Sequence, residues 1–143
     1  MDSDLYEILL ACAEDVNPAA TAAAVWWKEG LVACSVVCAA AGYAEDPNAS
    51  QSQVCRSHKN VINGLFLSYE SSAADAAEVL LCHAGATLID EAHPEKGVVT
   101  NGGRVLTVTG LGASLRQARD SAYKAVAGVS FDGMQYRSDI GKR

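Results

Sequence analysis

The stretch Gly97 to Gly112, GVVTNGGRVLTVTGLG, constrains what this chain can fold into more than any other. Two apolar and β-branched runs, Val98 to Thr100 and Arg104 to Thr109, flank Asn101-Gly102-Gly103. Asn-Gly between such runs is the strongest short signal of a hairpin, because both central residues take positive φ at little cost. The spacing therefore predicts two strands paired with each other across a tight turn. Arg104 is the only charge in the stretch, and it leaves the turn beside two glycines with no Cβ to shield their backbone amides. Such a corner suits a small anion. It is also the pattern of a plain hairpin carrying one solvated arginine.

Charge and length narrow the ligand classes. A net charge of -6 argues against a nucleic-acid surface, which needs clustered Lys and Arg, so an anionic ligand has to be small and locally held. With 143 residues, half of them hydrophobic and a fifth charged, the chain suits one folded domain with a sizeable core, with room for a flanking element. The opening residues carry Asp2, Asp4 and Glu7 and no basic segment, unlike a secretory signal. The longest apolar run, Leu31 to Ala41, is about half of the roughly 20 residues that a membrane span needs. A soluble chain without a membrane partner is expected.

Five cysteines, an odd number, point to a reducing compartment and free thiols. Cys34 and Cys38 would share one strand face about 13 Å apart, too far for one metal ion. Cys55 with His58, and Cys82 with His83, lack a matching second half at zinc-site spacing, so no metal site is expected. Cys34, Cys38 and Cys82 read as buried, inert thiols in apolar strands.

From the amino terminus, Ser3 reads as an N-cap, followed by Leu5, Ile8, Leu9 and Cys12 on one helical face, ending by Val16-Asn17-Pro18. Ala19 to Ala24 is open between helical turn and loop. Val25-Trp26-Trp27 reads as a short strand, and Leu31 to Ala41, lacking alternation, as a central strand covered on both faces. Ala44 to Lys59 is the longest loop. Further strands are expected at Val61 to Leu67, Val79 to Cys82 and Thr87 to Ile89, with a helical turn at Ser71 to Ala77 and an exposed loop at Asp90 to Lys96. Ser114 with Gln117 forms a capping box for a helix whose face is Leu115, Ala118, Ala122 and Val126, ending near Gly128. The tail from Val129 starts as a strand. The fold class is α+β, a mainly antiparallel sheet with two longer helices.

No catalytic constellation emerges. Gly110-Leu111-Gly112 lacks a third small residue at Leu115 and a following βαβ unit, so it is not a dinucleotide fingerprint. Neither a nucleophile elbow nor a phosphate-binding P-loop occurs.

His83-Ala84-Gly85, then Val98 through Leu106, then Phe131-Asp132-Gly133-Met134 with Tyr136 through Gly141 occur in an order and spacing that closely resemble the C-terminal domain of phosphoribosylamine-glycine ligase, also called glycinamide ribonucleotide synthetase. Ser3 to Glu7 resembles the helix that closes this family's ATP-grasp region, and Val32 to Tyr43 the strand and Gly-Tyr turn that open its C-terminal domain. The sequence departs from the family pattern at Ala44, where proline is usual, and at Ala86, where threonine is usual. Its Lys96 stands one position before the usual basic residue.

The resemblance implies a division into residues 1–24, from the ATP-grasp region, and 25–143, a substrate-covering domain. It implies an ATP-dependent ligase that joins glycine to phosphoribosylamine in purine biosynthesis, in the cytoplasm. ATP and Mg2+ would be held mainly upstream, none by this piece alone, and the partners would be the small substrates and the enzyme's own N-terminal and ATP-grasp domains. Arg104 with Gly103, Gly102 and Asn101 would hold the ribose phosphate, with Lys96 as a second cation. The chain would not catalyse alone. The other reading is a stand-alone, non-catalytic binding or interaction domain, which the coding sequence upstream of Met1 would discriminate.

Overall fold

The structure, a computed structural model, describes residues 1–14, 18–43, 59–65 and 79–142. The expected loop 44–59, apart from Lys59, and the expected helical turn 71–77 lie outside the described residues, as do Cys55 and His58. The chain divides into two compact units, Met1–Leu31 and Val32–Arg143.

The first unit holds α1 (Leu5–Ala13) and α2 (Pro18–Ala23). The N-cap of α1 is Asp4 rather than the expected Ser3: its carboxylate accepts from the Tyr6 amide at 2.8 Å. Ser3 is committed elsewhere, since its hydroxyl donates to the Ala24 carbonyl at 3.1 Å and accepts from the Trp26 amide at 2.6 Å. That tie holds Val25 to Trp27 as irregular backbone, not as the expected strand, and both tryptophans are exposed. Among the described residues no helix is long and apolar enough to cross a membrane.

The second unit is α+β and mainly antiparallel, as expected. Strand β5 (Arg104–Gly112) is the centre of a three-stranded sheet, flanked by β1 (Val32–Ala39) and β2 (Val79–His83). Val36 lies opposite Val108, and Leu81 lies opposite it on the other side. Helix α3 (Leu115–Ala127) covers one face of this sheet and buries Ala118, Ala122 and Val126 completely. It lies close because β5 is bare at Gly110, where a Cβ would collide with the Ala118 carbonyl and stand 2.5 Å from the Ala122 nitrogen. Ser114 caps α3 as expected, accepting from the Gln117 amide at 3.3 Å, but Gln117 returns its side chain to the Ala113 amide and not to the cap. Leu115 stays exposed.

Strand β1 departs from expectation. Among the described residues it is an edge strand, and its burial alternates: Cys34, Val36 and Cys38 face the core while Ala33, Ser35 and Val37 are exposed. Small and apolar residues at the outward positions hid that alternation. Ser35 meets Thr109 there, hydroxyl to hydroxyl, at 2.7 Å.

The expected hairpin does not form either. Strand β4 (Val98–Thr100) pairs with β3 (Ala86–Leu88) in a separate two-stranded sheet, and β5 pairs with β1 and β2. Gly102 and Gly103 are not among the described glycines with positive φ, which the two-residue hairpin turn would need. Asn101-Gly102-Gly103 instead carries the chain from one sheet to the other.

Of the strand expected at Val61 to Leu67, the described residues 61–65 make only isolated bridges, Val61 to Val99 and Asn63 to Ser130, while Phe66 and Leu67 lie outside the described residues; the strand expected from Val129 is reduced to that second bridge. The remaining tail is an ordered surface segment: Gln135 bridges Ala39, and the Tyr123 hydroxyl donates to the Arg137 carbonyl at 2.7 Å while accepting from the Ile140 amide at 3.1 Å. The described cysteines are all free; Cys34 and Cys38 are buried, and burial pushes the Cys38 thiol above its ordinary pKa. Cys82 is exposed on β2, contrary to expectation, because the apolar run Val79 to Cys82 alternates in direction and leaves Cys82 off the core face.

Candidate functional site

The corner between the two sheets is built from a buried anchor outward. Thr100 ends β4 at 1% exposure, its amide donating to the Asn60 carbonyl at 2.9 Å and its hydroxyl oxygen accepting from the Asn60 amide at 3.0 Å. Asn60 in turn donates its side-chain amide to the Asp132 carbonyl at 3.0 Å. Beyond Thr100 the Asn101 amide donates to the Gly85 carbonyl at 2.7 Å, and the Gly103 carbonyl accepts from the Ala40 amide at 2.8 Å. The Gly85 amide donates to the Arg104 carbonyl at 2.7 Å. The backbone of Asn101 to Arg104 is thus tied on both sides by residues distant in sequence.

On this backbone the Asn101 and Arg104 side chains are exposed, and among the described residues the Arg104 guanidinium has no ion-pair partner. A guanidinium offers a planar fork of donors that matches two phosphate or carboxylate oxygens, and adjacent glycines let a ligand approach the main chain. Its exposed donors are of the kind that suit an anion.

Lys96 is placed differently from the other expected site residues. It closes a turn of 3-10 helix, Pro94–Lys96, at the far end of β4, which a strand of this length separates from the corner by about 10 Å. Its ammonium is 2.7 Å from an Asp90 carboxylate oxygen, and this contact, with the Ala92 amide, holds the Asp90 carboxyl below its ordinary range. The corner gathers Asn101, Gly102, Gly103 and Arg104; Lys96 has a carboxylate of its own. Sequence reasoning did not anticipate the parts of Gly85, Ala40 and Asn60. Only His83-Ala84-Gly85 carried a signal, as a motif preceding the corner in the chain, and nothing local to it states which backbone it meets.

Taken together, the second unit is two small antiparallel sheets, the larger under one helix, with a glycine-rich, arginine-bearing corner between them. Residues 33–143 match the family model described as phosphoribosylglycinamide synthetase, C domain, and the chain belongs to that family. It is 38% identical over 143 residues to the phosphoribosylamine–glycine ligase of Synechocystis, covering 97% of this chain and 28% of that protein. The protein of the same name from Caulobacter vibrioides is 36% identical, covering 100% of this chain and 28% of its own length. A bifunctional purine biosynthetic protein of Dictyostelium discoideum is 33% identical over all of this chain and 15% of its own length. The crystal structure of phosphoribosylamine–glycine ligase from Thermotoga maritima superposes with a TM-score of 0.53 at 33% identity, over 76% of this chain and 21% of that one. The chain spans about 28% of the length of the ligases from Synechocystis and Caulobacter.

Proposed function

We propose that this chain serves as the C-terminal domain of an ATP-dependent ligase that joins glycine to 5-phosphoribosylamine, giving glycinamide ribonucleotide for purine synthesis in the cytoplasm. The observation that carries the reading is the family match across residues 33–143, joined to relatives that are named for this reaction. In this role the domain closes over the substrate site, and ATP with its Mg2+ is held by the remainder of the ligase. Its partners are the small substrates and the other domains of the same enzyme.

Within the domain, Arg104 is the residue that grips the ribose phosphate. Its fork supplies two parallel charge-assisted hydrogen bonds, and Asn101, Gly102 and Gly103 bring the backbone alongside. Lys96 acts as a second cation only by leaving Asp90, so its contribution is the smaller of the two.

A chimera tests the assignment. The Synechocystis ligase, with the segment that matches this chain replaced by this chain, should form ADP in a reaction that requires both glycine and phosphoribosylamine. A folded chimera that hydrolyses no ATP in their presence, beside an active unaltered ligase, would contradict it. Purified chain without the rest should not turn over.

A further inference from the structure

We infer that Gly85 is a positioning residue for the phosphate-holding corner, setting the direction of Arg104 from the inside of the bend; the inference rests on the ribose-phosphate reading above. Gly85 is where the chain passes from one sheet to the other. One residue earlier, the Ala84 amide still donates to the Val105 carbonyl at 3.0 Å and so continues the pairing of β2 with β5. One residue later, Ala86 lies opposite Thr100 and begins the pairing of β3 with β4. Gly85 uses its two backbone groups for both sheets at once: its amide holds the Arg104 carbonyl and its carbonyl holds the Asn101 amide, each at 2.7 Å. The corner Asn101 to Arg104 is therefore an arc whose two ends are tied to one residue.

The space inside that arc is full. A Cβ on Gly85 would stand 2.6 Å from the Arg104 carbonyl oxygen, 2.9 Å from the Gly102 Cα and 3.2 Å from the Gly102 carbonyl carbon. All three are backbone atoms, so no side-chain rotation relieves the crowding. A methyl group at Gly85 has to push the arc outward, and the displaced atoms belong to the residues that carry the guanidinium and the bare backbone beside it. Displacements near 1 Å are enough to cost an oriented contact most of its effect.

The test uses the active chimera with Gly85→Ala and Arg104→Ala, scored by the KM values for phosphoribosylamine and for ATP. Gly85→Ala should raise the first by about ten- to a hundredfold and change the second by less than about twofold. A lowered melting temperature with both KM values unchanged, or both raised together, would overturn the inference and make Gly85 a structural glycine. Arg104→Ala separates the two readings: if it too leaves the KM for phosphoribosylamine unchanged, the phosphate assignment itself has failed and the inference with it. Hydrogen exchange on the unaltered chain guards against a variant that does not fold. The Gly85 and Asn101 amides should exchange as slowly as the amides paired between β1 and β5; exchange at the rate of an open loop would show that the arc is not held and would overturn the inference.

Discussion

Helices α1 and α3 both arise from apolar residues repeating at three- and four-residue spacing, yet α3 buries Ala118, Ala122 and Val126 completely while α1 buries none of its residues. The more hydrophobic face is the exposed one: Leu5 and Leu9 of α1 are 56% and 59% accessible. The difference lies in what each helix meets. On α3 the buried positions are small, and β5 answers with Gly110 and Gly112, so backbone approaches backbone and the contact is complete. Periodicity thus specifies a helix and the face that it offers, whereas the depth of burial is set by the complement on the opposing element.

Point substitutions test whether the opposing element sets this difference. The largest effect is expected at Leu106, fully buried on β5 in the core under α3. Leu106→Ala should lower stability by about 2–5 kcal/mol in chemical denaturation, through lost burial and the cavity left behind. Gly110→Ala should cost about 1–3 kcal/mol, because α3 must move off β5 to admit the methyl group. A melting temperature unchanged by Gly110→Ala would mean that the close approach does not determine the packing. Leu9→Ala on α1 should shift stability by less than about 0.5 kcal/mol, as expected of an exposed position. Equal losses at Leu9 and Leu106 would erase the contrast between the helices.

The smallest effect is a pH dependence at Asp90. Its carboxyl is held below the ordinary value of 3.8, first by Lys96 and then by the Ala92 amide. A lowered folded-state pKa stabilises the fold above the ordinary value and loses that contribution as pH falls through the lowered one. Because the pair lies in solvent, Lys96→Gln should lower stability only slightly at neutral pH and not at all once the carboxyl is protonated, so that the fall in stability towards acid becomes slightly shallower. A large change at neutral pH would mean that Lys96 is used elsewhere in the fold.

Much of the second unit was legible in sequence because local and tertiary demands agree there. Ser114 and the alanines of α3 each act at the position where their chemistry is most favourable, and the helix ends at Gly128 with a right-handed backbone there. At the corner the two demands part. Asn101-Gly102-Gly103 carries a strong local preference for a hairpin turn, but the backbone partners Gly85 and Ala40 lie far away in the chain and take the hydrogen bonds that a hairpin would have made. No local rule reports such a partner. The β1 run misled for a simpler reason: Ala33 and Val37 are apolar although exposed, so composition could not separate its faces. At the amino terminus two adjacent capping residues competed, and Asp4 took the cap because Ser3 is tied to Ala24 and Trp26. For the candidate site, residue types and order were readable in Asn101 to Arg104, while the ties that hold the arc and the engagement of Lys96 with Asp90 were not.

The phosphate role of Arg104 is decided by the KM values of the chimeric ligase with Arg104→Ala and with Arg104→Lys. Removing a charged, hydrogen-bonded contact costs about 1.5–3 kcal/mol, so Arg104→Ala should raise the KM for phosphoribosylamine by roughly ten- to a hundredfold and leave that for ATP nearly as it was. Arg104→Lys should recover only part of the loss, since it restores the charge without the planar fork. Unchanged KM values for both substrates, with only a fall in thermal stability, would show Arg104 to be a structural arginine of the corner and contradict the account.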